Sequence, residues 1–68
     1  MSKKYKNRLL GVSLIASDDC LEISCAPQYR DKIKKMKGRW DSESKTWIVD
    51  PAWLDECVRY YKLVEVVS

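Results

Sequence analysis

Apolar and polar residues alternate along parts of two short segments near the start of the chain, residues 9–16 and 20–24. Alternation of this kind is typical of strands that bury one face. The polar residues 17–19 between the segments predict a tight turn, so we expect an antiparallel pair of strands. In the second strand, Leu21 and Ile23 are predicted to point into the core.

Residues 27–37 are predicted to form a first helix. Pro27 suits the first helical turn, because the N–H that it lacks has no partner there. Gly38 is expected to be the left-handed residue just beyond the last turn. The residues predicted to form the buried stripe are Tyr29, Ile33 and Met36. The cations of this segment then lie on the flanks and the outer face of the helix.

A second helix is predicted to begin at Asp50 and Pro51, with Asp50 as the N-cap and Pro51 in the first helical position. Its predicted buried stripe consists of Leu54, Cys57, Val58 and Tyr61. Lys62 ends the helix, and the mostly β-branched residues 63–67 predict a final edge strand. An edge strand can pair with a second copy, so we expect a monomer or a weak dimer.

Between the helices, Arg39–Asp41 and Thr46–Val49 are predicted to be the two arms of a β-hairpin. The polar residues 42–45 supply the turn. A loop of four residues places Trp40 opposite Trp47 on one face of the hairpin.

These elements predict an α+β fold, a single small domain of ββαββαβ order with a mainly antiparallel sheet and two helices. With 68 residues, of which 46% are hydrophobic and 34% charged, the chain has room for one thin core. The domain is predicted to span residues 9–68. Residues 1–8 hold four cations around one tyrosine and are predicted to be a flexible basic arm.

The basic start of the chain is not followed by the apolar segment of a signal peptide, and no segment has the roughly 20 apolar residues that cross a membrane. We therefore expect a cytoplasmic, intracellular protein without membrane association. The three cysteines, Cys20, Cys25 and Cys57, are then expected to be reduced and to pack in the structure.

The sequence also lacks the usual signs of catalysis. It has no histidine, only two glycines and no paired-carboxylate motif. Three dispersed cysteines do not form a zinc motif. We therefore expect a protein that is not an enzyme and that has no metal and no cofactor.

Charge is divided unequally along the chain. Residues 1–37 hold nine Lys or Arg against four Asp or Glu, whereas residues 38–68 hold four against six. Cations next to aromatic residues are typical of nucleic-acid sites, although a solvated lysine-rich surface explains the same charges. The predicted DNA contacts are Lys3, Lys4, Lys6, Arg8, Lys32, Lys35, Lys37, Arg39 and Lys45. Trp40 is a candidate for base stacking, and core packing is the alternative for every tryptophan.

The hairpin and its surroundings resemble the HARP domain, the small substrate-recognition module beside the motor of annealing helicases. The N-terminal module of the phage recombination helicase UvsW is also similar. The resemblance covers about residues 12–67. It is carried by Leu21/Ile23, Tyr29, Ile33, Arg39-Trp40-Asp41, Lys45-Thr46-Trp47 and Leu54/Tyr61.

This resemblance implies a compact α+β module that helps a partner helicase recognise branched DNA or a junction between single and double strands. Because no motor is attached in this chain, a subunit, decoy or inhibitor that binds a protein is the alternative. The surface expected for that alternative consists of Trp53, Asp55, Glu56 and Tyr60 in the second helix.

Overall fold

The structure, a computed structural model, describes residues 2–66 as one antiparallel sheet and two short helices. The strands are β1 (Lys3–Asn7), β2 (Val12–Ala16), β3 (Leu21–Ser24), β4 (Arg39–Asp41), β5 (Thr46–Val49) and β6 (Val64–Glu65). The helices are α1 (Arg30–Lys35) and α2 (Leu54–Tyr60). The sheet order is β4-β5-β3-β2-β1-β6, so the hairpin forms one edge and β6 forms the other.

The predicted α+β fold of a single small domain is confirmed, and the predicted element order holds from Val12 onward. One prediction was wrong: residues 3–7 do not form a flexible arm but the strand β1, which pairs with β2 and β6. Tyr5 packs against the core and supplies the apolar contact that holds this lysine-rich segment. A single apolar side chain produces no periodic pattern, so no local signal predicts a strand here. The first strand of the predicted pair also begins late, because Leu9 is 97% exposed in the turn before it.

Asn7 holds the end of β1 against the end of α2. Its Nδ2 donates to the backbone oxygens of Tyr61 and Lys62, at 2.9 and 3.2 Å. Its Oδ1 accepts from the backbone N–H groups of Leu9 and Leu10, at 2.9 and 3.2 Å. One amide side chain therefore orders the turn after β1 and attaches it to the second helix.

The two faces of the sheet differ in what covers them. Each cross-strand row keeps its side chains on one face, because directly paired residues point the same way. The row on the face that both helices cover is Trp40, Trp47, Ile23, Leu14 and Tyr5. The neighbouring row, on the face without helices, is Arg39, Ile48, Glu22, Ile15 and Lys4. We call the first the covered face and the second the open face.

Each helix begins with a short 3₁₀ turn, Pro27–Tyr29 before α1 and Pro51–Trp53 before α2. Asp50 is the N-cap that the sequence predicts, and its Oδ1 accepts from the N–H of Ala52 at 2.8 Å. The predicted stripes are confirmed: Ile33, Met36, Cys57 and Tyr61 are buried, and Tyr29, Leu54 and Val58 pack against them.

The first helix ends differently from the prediction. Lys37, not Gly38, is the left-handed residue, with φ of 60°. The N–H of Gly38 donates to the oxygen of Ile33 at 2.9 Å, as at the end of a Schellman motif. A Cβ at Gly38 would overlap Cγ2 of Ile33, so this position needs glycine for close packing and not for its φ angle. The second helix ends in the same way, with Lys62 at φ of 52° and Leu63 bonded to Val58.

We predict that Gly38→Ala lowers the free energy of unfolding by about 1–3 kcal/mol, the usual effect of forcing an extra methyl into a packed site. Urea titration followed by circular dichroism measures the change. The neighbouring variant Lys37→Gly is the control, because glycine adopts a left-handed φ without a Cβ penalty and should preserve or raise stability. Equal stability of wild type and Gly38→Ala would contradict the close packing on Ile33.

Candidate nucleic-acid interface

The hairpin has the register that the sequence predicts. Asp41 pairs with Thr46 across a four-residue loop. The Asp41 carboxylate holds this loop: Oδ1 accepts from the N–H of Glu43 at 3.1 Å, and Oδ2 accepts from Oγ of Ser44 at 2.9 Å. Lys45 closes the turn with φ of 56°. The loop is therefore ordered by its own side chains and presents Lys45 to solvent.

Trp40 and Trp47 lie side by side on the covered face, as predicted. Their ring centroids are 5.6 Å apart at an interplanar angle of 63°. The guanidinium carbon of Arg30, at the start of α1, lies 5.7 Å from the centroid of Trp40 and 5.9 Å from that of Trp47. Trp47 packs against the core, whereas Trp40 remains 49% exposed. The three side chains form a cation–π cluster with one accessible indole.

Two hydrogen-bond donors in this cluster are unsatisfied. Within residues 2–66, neither Nε of Arg30 nor Nε1 of Trp47 has a hydrogen-bond partner, although both atoms are buried. A buried donor without an acceptor costs about 1–3 kcal/mol. The cluster thus contains two buried N–H groups that lack acceptors within the described residues, one on the Arg30 cation and one on the Trp47 indole.

The cations of α1 lie on two flanks. Lys34 is one helical turn after Arg30, so both lie on the flank nearest the hairpin, and Lys34 is exposed. Lys32 lies on the other flank, where its Nζ contacts Oε1 of Glu56 at 2.9 Å and lies 5.0 Å from the ring centroid of Tyr60. The hydrogen bond from Lys32 lowers the pKa of the exposed Glu56 carboxyl. Lys32 is therefore engaged with α2.

We use the term helix–hairpin edge for the surface formed by Arg30, Lys34, Trp40 and Trp47. Its position follows from the fold, because α1 crosses the covered face next to β5 and β4. Gly38, just after the end of α1, packs close to Ile33 and Val49, and at the start of the helix Arg30 lies over the two indoles. The surface is thus built from two consecutive elements, α1 and the hairpin that follows it.

The structure does not gather the predicted DNA contacts on one surface. Arg39 and Trp40 are consecutive in β4 and therefore point to opposite faces of the sheet. Lys4 shares the open face with Arg39, at the other end of the same row. Lys6 lies on the open face as well, two positions after Lys4. The three cations of the open face are separated by the sheet from those of α1.

The remaining predicted contacts are dispersed. Lys3 begins β1 on the covered side, Arg8 lies in the turn after β1, and Lys35 lies on the outer part of α1. Lys37 borders a shallow pocket at the end of α1, next to Asp50 and Trp53. The predicted exposure of Arg39 and Lys45 is confirmed. Among residues 2–66, Lys32 forms an ion pair and the other eight predicted contacts form none.

Two residues of the helix–hairpin edge, Arg30 and Lys34, were not among the predicted contacts. Their spacing of four places them on one helix flank, and this signal is visible in the sequence. Which flank faces the tryptophans depends on how α1 crosses the sheet, and no local pattern encodes that crossing.

Within residues 2–66 the three cysteines form no disulfide, and burial disfavours the thiolate form of Cys25 and Cys57. Cys57 is fully buried, and burial raises the pKa of its thiol to about 11. Burial also raises the pKa of the half-buried Cys25. Because the thiolate is the nucleophile and the metal ligand, the raised pKa lowers the reactivity of the Cys57 thiol at neutral pH. Residues 2–66 contain no group of three or more Cys, Asp or Glu side chains placed to hold a metal ion.

We predict that Cys57 in the folded protein reacts with an aromatic disulfide reagent far more slowly than Cys20 or Cys25. At pH 8 a thiol with a pKa of about 11 holds about a hundredfold less thiolate than one at the ordinary value of 9.0. The raised pKa means that the Cys57 rate should increase with pH up to about 11. Mass spectrometry of modified peptides measures each rate, and rapid modification of Cys57 at neutral pH would contradict its burial.

Neither helix within residues 2–66 has the length and apolar character needed to cross a lipid bilayer. Comparison with protein-family models, with curated proteins and with solved structures gives no match for this chain. The resemblance to the helicase modules therefore stays a prediction, and function must be argued from the helix–hairpin edge itself.

Proposed function

We propose that this protein is a non-enzymatic DNA-binding module that holds the phosphate backbone along α1 and the hairpin without reading sequence. The observation that carries the proposal is the placement of Arg30. Within residues 2–66 it has no carboxylate partner, and it lies over two indoles of which one is accessible. A cation beside an exposed aromatic ring matches the two contacts that nucleic acids offer, phosphate and base.

The charge around α1 favours this surface over the open face. Arg30, Lys34 and Lys35 surround the exposed part of α1, and Asp31 is the one acid within that helix. On the open face, Glu22 stands in the middle of the row between Arg39 and Lys4. Because a central carboxylate repels phosphate, the open face is the weaker candidate for a DNA backbone.

The form of α1 supports contact with the backbone and not with base edges in a groove. Its six residues extend about 9 Å at the α-helical rise of 1.5 Å per residue, less than two turns. The helices that read base edges enter the major groove over a longer contact. Exposed lysines on a short helix suit phosphates, whose spacing is independent of sequence.

The resemblance to the HARP domain adds a substrate class to this proposal. The Arg39-Trp40-Asp41 and Lys45-Thr46-Trp47 segments that carry it form the two arms of the hairpin and its turn. We therefore propose branched DNA, or a junction between single and double strands, as the DNA form, and a helicase as a partner protein.

The proposal predicts that Lys34→Gln together with Lys35→Gln weakens DNA binding and its salt dependence. The loss of two phosphate contacts should reduce the slope of log affinity against log salt by about two. Fluorescence anisotropy with labelled duplex, single-stranded and forked DNA, at several salt concentrations, measures both quantities.

The matched control is Lys4→Gln together with Lys6→Gln, which removes the same charge from the opposite face of the sheet. This control should bind nearly as tightly as wild type. Equal weakening by both pairs would place the interface elsewhere than on α1, and wild-type protein that binds no DNA at low salt would refute the proposed function.

A second candidate function, binding of a partner protein through α2, is favoured by the exposure of its aromatic residues. Trp53 is 36% and Tyr60 56% exposed, and a separation of seven residues places them on about the same side of the helix. Lys32 already lies against the Tyr60 ring and binds Glu56, so α1 occupies part of that surface. This second function takes precedence only if the wild-type protein fails to bind DNA.

A further inference from the structure

We infer that the helix–hairpin edge binds one unpaired base, stacked on Trp40, so that the module prefers single-stranded DNA or the single-stranded part of a junction. The inference rests on the proposed function, because the cations of α1 must bring a DNA backbone to this edge. The inference adds an unpaired base as the chemical group that this edge recognises.

Trp40 has the geometry of a stacking platform. Arg30 lies against its ring, and the edge-to-face contact with Trp47 fixes the plane of the indole. The exposed half of Trp40 is therefore held in place before any ligand arrives. A base that stacks on it loses little freedom on the protein side, and a rigid aromatic surface accepts any base because every base has a π-face.

The unsatisfied donors specify what lies next to the stacked base. Nε of Arg30 and Nε1 of Trp47 are both donors without an acceptor within residues 2–66. Nucleotides carry the matching groups, since base carbonyls and phosphate oxygens both accept hydrogen bonds. A small shift of the Arg30 side chain would expose its Nε to such an acceptor. Stacking on Trp40 and hydrogen bonding beside it are contacts that one nucleotide makes together.

Other ligand classes fit this cluster less well. A cationic ligand of the kind that binds aromatic cages is repelled, because Arg30 already lies 5.7 Å from the Trp40 centroid. A base within intact duplex DNA has both faces covered by its neighbours and reaches the indole only when it is unpaired. The cluster thus selects an anionic ligand with a free aromatic face.

The test compares two single-stranded oligonucleotides of equal length and charge, one of thymidines and one of abasic sites. Both offer the same phosphates, and only the first offers bases. Anisotropy at moderate salt should show wild-type protein binding the thymidine strand about fivefold or more tightly than the abasic strand. In Trp40→Ala this preference should disappear, while binding of the abasic strand is unchanged.

The matched control is Trp53→Ala, which removes another partly exposed indole, in the 3₁₀ turn before α2, and should keep the preference for bases. Trp40→Phe keeps a smaller aromatic ring at this position and should keep part of the preference for bases. Circular dichroism confirms that each variant is folded. In Trp53→Phe, whose remaining indoles are Trp40 and Trp47, the thymidine strand should quench fluorescence and the abasic strand should not.

The outcomes distinguish failure of base stacking from failure of DNA binding. Equal, salt-dependent binding of both strands by wild-type protein would overturn base stacking and leave backbone binding intact. Loss of binding to both strands in Lys34→Gln/Lys35→Gln, with the base preference abolished in Trp40→Ala alone, supports both. Wild-type protein that binds neither strand at low salt would overturn both together. Because the abasic comparison needs no substitution, a poorly folded variant does not prevent the decision.

Discussion

The rest of the structure depends on the register of one cross-strand row, in which Trp40, Trp47 and Ile23 lie side by side on the covered face. The side-chain period of a strand is two, so a slip of one residue in β5 would move Trp47 to the open face and Ile48 to the covered face. The Asp41 carboxylate fixes the loop length and with it this register. The polar turn of the hairpin therefore determines that the two indoles lie under α1.

The row also joins the packing of the core to the surface proposed to bind DNA. Arg30 lies over two aromatic rings, and within residues 2–66 its own Nε and Nε1 of Trp47 are buried without acceptors. The same packing that completes the end of the core therefore carries an unfavourable term that a suitable ligand would remove.

Local patterns were enough to predict the hairpin, both helical stripes and the Asp50 cap, because each depends on residues within a few positions of one another. They were insufficient for β1, where one tyrosine and one asparagine hold a lysine-rich segment through contacts with α2 and the core. They also did not indicate which cations share a face with the tryptophans: alternation along β4 directs Arg39 away from α1, and only the crossing of helix over sheet brings Arg30 to the tryptophans. The candidate site therefore combines a hairpin that local patterns predict with Arg30 of α1, whose position they do not predict.

The pairing of β1 with β6 has an architectural consequence. The N–H of Val66 donates to the oxygen of Lys4 at 2.7 Å, so both ends of the described chain leave from the same side of the sheet. Trp40 lies in the strand at the opposite edge, five strand spacings or about 24 Å away. A tether or a reporter fused at either end would therefore be attached at the edge of the sheet opposite the helix–hairpin edge.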